Sequence, residues 1–426
     1  MRMQAGLAFE QAPPFALPLR FFLSAPLFLL AAGVLLAVAP DALGSRWGLR
    51  TFALTHLVTL GFLGMTMLGA LTQMLPVLAG VPIAAPRAVA WLTHAPFTLG
   101  SALLVAAFLG AGAAAFTAAI ALLGAGLAVF GIAAATSLAR AARGDTVNGM
   151  RLALAGLALT ATFGVALALP RAGWLPRPPV WAHVDAHAAF GLLGWVLLLV
   201  IGIAYQVVPM FQITPPYPRR IARWLAFVLA ALLGLYAFAP WLPAPLTYAA
   251  EAGIAAVVLV FALVTLRLQT RRRRKLPDVT LDFWRLGMAS LIACVGVWLA
   301  ARLLPAGAAR DALSLLLGVL FLAGFAVSVV SGMLYKIVPF LAWFHLQAQL
   351  QARAGTIPTM KDMIDPRRQR MQLRLHLAAC ALLVPAPFWP PLAIGGGLVL
   401  CLSAASLWLN LLSAVRRFHA CGGRAA

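Results

Sequence analysis

The sequence predicts an all-α integral membrane protein of twelve transmembrane helices in three four-helix repeats with a pseudo-threefold arrangement, both termini cytoplasmic. Three observations predict it. Hydrophobic residues make up 63% of the chain and charged residues only 10%, and apolar runs of about 20 residues, the length that crosses a bilayer as a helix, recur throughout. A skeleton of two glycines and a proline returns three times in one register. The basic residues are distributed unevenly between alternate loops.

The repeat is clearest in the stretch from His56 to Pro76. Gly61, Gly69 and Pro76 are spaced eight and then seven residues apart, and the spacing recurs as Gly194, Gly202, Pro209 and as Gly324, Gly332, Pro339. The three prolines are 133 and then 130 residues apart. One unit used three times accounts for this register. Gln73 and Gln206 also correspond, three residues before the proline, and Lys336 takes that place in the third copy. Seven residues bring Gly69 and Pro76 back to nearly the same helix face, where the missing side chain can serve as a notch for a neighbouring backbone.

Hydropathy places the spans near 19–40, 51–76, 90–110, 113–138, 150–169, 181–209, 222–241, 245–266, 284–304, 312–339, 372–388 and 391–413. The organisation is then an interfacial segment over 1–18, one membrane domain over 19–413 and a tail over 414–426, with repeats of roughly 19–138, 150–266 and 284–413. The first apolar run ends in Ala37-Val38-Ala39, which mimics a signal-peptidase site, but its length and Pro40 mark it as a retained span. Pro215, Pro216 and Pro218 end span six sharply. After Pro339 the spacing of Leu341, Phe344 and Leu350 predicts an amphipathic surface helix carrying His345.

The net charge of +22 suggests nucleic acid in a soluble chain; here its distribution sets orientation instead. With the N-terminus inside, only Arg46, Arg50, Arg171, Arg177, Arg302 and Arg310 of the 32 Lys and Arg lie outside. The protein is therefore read as multi-pass in the cytoplasmic (inner) membrane, its partner the lipid bilayer and not nucleic acid. The run from Arg271 to Lys275 anchors topology near anionic lipid. Cys294, Cys380, Cys401 and Cys421 contain no CxxC pair and read as small apolar residues. The polar loop 354–370 is a candidate docking segment for a partner subunit. No Gly-rich nucleotide loop adjoins the spans, which argues against an ATP-driven pump.

Ionisable groups inside a bilayer are costly and are the functional candidates. His56 lies early in span two, His183 and His187 at the start of span six, and Glu251 early in span eight, all at one depth in the outer third of the membrane; Asp185 sits between the two histidines. His183 and His187 share one helical face, a spacing that clamps a metal, orients a cofactor or bonds within the bundle. Glu251 is a candidate proton-handling carboxylate or a buried paired one. Met65, Met67 and Met74 are either soft copper donors or adaptable packing. His94 reads as a packing or interfacial residue, and His376 and His419, near inner-side arginines, as residues without a functional role.

The phrases HLVTLGFLGMTMLGALTQMLP and HAAFGLLGWVLLLVIGIAYQVVP resemble helices two and six of subunit I of the haem-copper oxidase and nitric oxide reductase superfamily, twelve-helix proteins with metal centres toward the outer side. The resemblance implies that His56 is a low-spin haem ligand and His187 a copper ligand, with His183 as alternative. It also implies respiratory or cytochrome subunits as partners. The family's histidine pair on helix seven and its two histidines on helix ten are missing, since residues 222–241 and 312–339 contain none. That argues against a working oxygen-reducing or NO-reducing centre. A looser resemblance links the chain to NnrS-like proteins, multi-span proteins associated with haem, copper and nitric oxide stress. The leading expectation is a haem- or copper-binding membrane protein serving redox chemistry, nitric oxide handling or metal homeostasis. The rivals are a transporter or metal-delivery protein and a cofactor-free scaffold subunit.

Overall fold

A computed structural model of the chain describes residues 11–176, 181–273, 276–350 and 357–424, with backbone alone at Trp181 and Ala182. Arg177, Arg274, Lys275 and Arg353, most of the interfacial segment, the start of the polar loop and the last two residues lie outside the described residues. The described chain is helical, with no strand. In chain order the helices are α1 (Ala16–Val38), α2 (Leu49–Ala79), α3 (Pro86–Ala106), α4 (Gly112–Arg140), α5 (Asp145–Ala168) and α6 (181–212). They continue as α7 (Arg219–Ala237), α8 (Ala244–Thr270), α9 (Val279–Leu303), α10 (Ala308–Leu350), α11 (Pro366–Leu383) and α12 (Pro391–Ala420).

Ten helical stretches among the described residues are long and apolar enough to cross a membrane. The protein is thus a multi-pass, all-helical membrane protein in its plan. One of the ten, Pro86–Arg140, is interrupted by Gly110 and Gly112, whose φ values of 111° and 84° suit glycine alone, so α3 and α4 fold back on each other. There the turn of Leu123 seats against Gly100, and Gly126 lies against the Thr93 carbonyl. α11 falls short of the apolar criterion because Arg367, Arg368, Arg370 and Arg374 crowd its first half.

Contacts divide the chain into two compact units, one formed mainly by Met74–Leu276 and the other by Pro13–Gln73 with Pro277–Ala426. In the second unit α1 packs along α12 through Gly33 and Gly397, each of which would bring an added Cβ within 2.7 Å of the other's carbonyl oxygen. Close backbone approach through small residues is how helices associate where lipid removes the hydrophobic driving force between them. Polar pairs add to it: Gln372 Nε2 donates to Ser403 Oγ at 2.9 Å and Asn410 Nδ2 to the Tyr335 hydroxyl at 2.9 Å. In the first unit Gln269 Nε2 donates to Gln212 Oε1 at 3.0 Å, and the Tyr217 hydroxyl lies 2.8 Å from Thr265 Oγ1.

The six motif glycines are packing notches. Added Cβ atoms at Gly61 and Gly69 would strike Phe28 and Phe21 of α1 at 2.4 and 2.6 Å. At Gly324 and Gly332 they would strike Ser290 and Phe283 of α9 at 2.5 and 2.7 Å. At Gly202 the neighbour is the Gly149 backbone of α5 at 2.8 Å, and Gly156 of the same helix abuts Gly194. In every case the motif helix leans on the helix that precedes it, and the facing residues, Phe21 and Phe28, Gly149 and Gly156, and Phe283 and Ser290, are seven apart.

Two expectations are corrected. Pro76, Pro209 and Pro339 do not end their helices; each lies inside one, because the ring removes a single backbone bond that a buried segment tolerates when neighbours pack around it. α6 ends at Gln212, where Ile213 turns into the left-handed region ahead of the proline cluster. The segment after Pro339 is no separate surface helix; it continues α10 to Leu350, with Leu341, Ala342 and Leu346 fully buried. Of the polar loop, Thr359 and Asp362 form a reciprocal capping box, Thr359 Oγ1 donating to Asp362 at 2.6 Å.

Candidate functional site

Each motif helix changes character at one point. Residues Leu57–Gly64 of α2, Phe190–Leu197 of α6 and Leu320–Val327 of α10 are π-helical, with the first motif glycine fifth in each. The starts are 133 and 130 residues apart, the same intervals as the prolines. π segments are rare and costly, and they concentrate at functional sites. The predicted site histidines stand at their entrances, His56 one residue before the first segment and His187 three before the second.

His56, in the Pro13–Gln73 part of its unit, is half-buried, and its Nδ1 lies 2.7 Å from the Phe52 carbonyl one turn back. A carbonyl only accepts, so Nδ1 carries the proton and the lone pair sits on Nε2. His187, in the Met74–Leu276 unit, makes the same arrangement differently: its Nδ1 donates to the Thr160 carbonyl of α5 at 3.0 Å. Gly164 leaves the room this ring needs, since a Cβ there would come within 3.1 Å of Cε1. His183 lies on the same face and also meets α5, its ring 6.2 Å from that of Phe163. The two histidines thus share a face, as their four-residue spacing predicts, and that face packs on α5. Asp185 and Glu251 are half-buried on α6 and α8.

An imidazole whose Nδ1–H is held by a backbone carbonyl presents a basic, oriented Nε2, the usual form of a metal-ligating histidine. Both His56 and His187 have it. Among the described residues no three His, Cys, Asp or Glu side chains converge to hold a metal ion.

One histidine outside the predicted site is also enclosed. His376 of α11 is fully buried; its Nε2 lies 2.8 Å from Ser328 Oγ and 3.6 Å from Cys380 Sγ, with the Phe283 ring 5.7 Å away. Ser328 is the residue that follows the third π segment. The signal available in the sequence was the His-x-x-x-Cys spacing on one helix face, hidden by the arginines around it. Lys336, third-copy counterpart of Gln73 and Gln206, pairs with Asp278 at 2.8 Å, while Asp278 also caps α9 by accepting from the Thr280 N–H at 3.0 Å.

Fold and site together define a multi-pass helical membrane protein with histidines at the mouths of π-helical segments. The sequence matches no known protein-family model and no curated protein.

Proposed function

We propose that the chain is a three-repeat, twelve-span protein of the inner membrane, similar in plan to haem-copper oxidase subunit I, that binds haem near the outer face. His56 in one unit and His187 in the other each supply an axial imidazole to a site of their own, with His183 as the alternative to His187. The observation that carries the reading is the shared state of the two rings, each with its Nδ1–H donated to a backbone carbonyl, as in metal-ligating histidines. The common register of the π segments supports the three-repeat plan behind it. A haem so held supplies one-electron chemistry or a gas-binding iron, in respiratory redox or nitric oxide handling. The protein's own part is to orient the imidazoles: Phe52 and Thr160 fix their tautomers, and Gly164 gives the His187 ring its space.

The test is the absorption spectrum of the detergent-purified protein, oxidised and dithionite-reduced, with iron and copper analysis on the same sample. A Soret band with near-stoichiometric iron, lost or shifted in His56→Ala or His187→Ala, is expected. A colourless, metal-free protein from haem-replete cells would overturn the proposal in favour of transport or scaffolding.

A further inference from the structure

Between the start of α5 and the first turn of α7 lies an open cavity of about 410 Å³. Its walls include Arg143, Asp145, Asn148, Arg223, Trp224 and Phe227. By the charge asymmetry of the loops this is the cytoplasmic side.

The arginines nearby divide into two kinds. Arg151 is consumed by structure, donating from Nη2 to the Leu138 and Ala141 carbonyls at 2.7 and 3.0 Å and so closing the end of α4. Arg143 and Arg223 pair with no carboxylate among the described residues, and both face the cavity. The Arg223 guanidinium rests on the Trp224 ring at 5.4 Å, which holds its plane and leaves its N–H edge to donate. Asn148 accepts from Arg151 Nη1 through Oδ1 at 3.4 Å, so its NH₂ remains a donor. The single opposing charge is Asp145, which leaves the lining with a net positive charge.

The other wall is apolar and open to lipid. Trp224 is 56% and Phe227 40% exposed, at the headgroup end of a membrane helix where aromatic side chains belong. A site with guanidinium and amide donors at the water side and an aromatic wall leading into the bilayer fits an amphiphilic anion. We infer that this cavity binds the phosphate of an anionic phospholipid between Arg143 and Arg223, with the first acyl segment along Trp224 and Phe227. A free phosphate would gain nothing from that wall.

The experiment is native mass spectrometry of the full-length protein from mixed phosphatidylglycerol and phosphatidylcholine micelles, comparing wild type with R143Q/R223Q and with D145N. Each surface cation is worth about fivefold in affinity, so the double variant should lose one tightly held phosphatidylglycerol, weakened about 30-fold, with phosphatidylcholine adducts unchanged. D145N, which removes the opposing charge, should retain the lipid more strongly. Matching elution on gel filtration establishes that both variants are folded. Equal phosphatidylglycerol retention in wild type and double variant, or a phosphatidylcholine adduct lost in parallel, would overturn the inference. Displacement of the adduct by millimolar inorganic phosphate would assign the site to the free anion and overturn it as well. A protein that binds no haem but passes this test leaves the lipid site standing.

Discussion

Gly156→Ala is the sharpest probe of how the motif helices are held. An added Cβ would lie 2.1 Å from the Gly194 oxygen and 2.4 Å from its carbonyl carbon, both backbone atoms that cannot rotate away. To reach ordinary contact α5 and α6 must part by roughly 1 Å or more, which forfeits much of the dispersion along the seam. The seam includes Gly149 against Gly202, and the Thr160 carbonyl that holds His187. Overpacking of this kind costs about 1–3 kcal/mol, against a gain of about 0.5–1 kcal/mol from replacing a helical glycine with alanine. The net is a loss of up to about 2.5 kcal/mol, centred on about 1 kcal/mol. Gly131→Ala in α4, where a Cβ meets nothing within 4 Å, takes only the gain and serves as the control. Unfolding in mixed detergent and SDS, followed by circular dichroism, measures both. If Gly156→Ala were as stable as Gly131→Ala, the notch account of the motif glycines would be wrong.

Lys336→Met leaves Asp278 partly buried without its partner and should cost about 1–2 kcal/mol in the same assay, since the pair is some 20% exposed. Lys336→Gln, which installs the residue found at 73 and 206, should recover part of that loss because an amide can still donate to Asp278. Tyr217→Phe removes a hydrogen bond in which the phenol must donate, as the Thr265 hydroxyl is already given to Phe261, and should cost about 1 kcal/mol; burial pushes the Tyr217 pKa well above its ordinary value, so this loss should not vary from pH 5 to 9. Asp362 has its carboxyl held below the usual range by the Thr359 hydroxyl and amide, so the capping box is intact above the ordinary carboxylate pKa and lost as pH falls through the lowered one; protection of the Thr359 amide, relative to its intrinsic exchange rate, should fall only in strongly acidic buffer, and a fall near neutrality would refute this.

Composition and spacing alone establish the class of protein and the places to look. Membrane insertion depends on local composition, so apolar runs and loop charges are legible without a fold, and the Gly61-Gly69-Pro76 register marks the helices that matter. Spacing also put His183 and His187 on one face, because helical geometry is local. Tertiary structure decided the rest. That Gly61 faces Phe28 or Gly324 faces Ser290 depends on residues more than thirty positions away. The prolines stay inside their helices because surrounding segments make a missing backbone bond tolerable, which proline chemistry alone does not reveal. The tautomer of His187 is set by Thr160 on another helix. His376 lies among arginines in the chain, and only α11 turning that face inward buries it against Ser328. Arg143 and Arg223 are eighty residues apart and become one cavity only when α5 and α7 pack side by side. Composition acts over a few turns of chain, whereas a site is a coincidence in space, and only packing brings distant residues into contact.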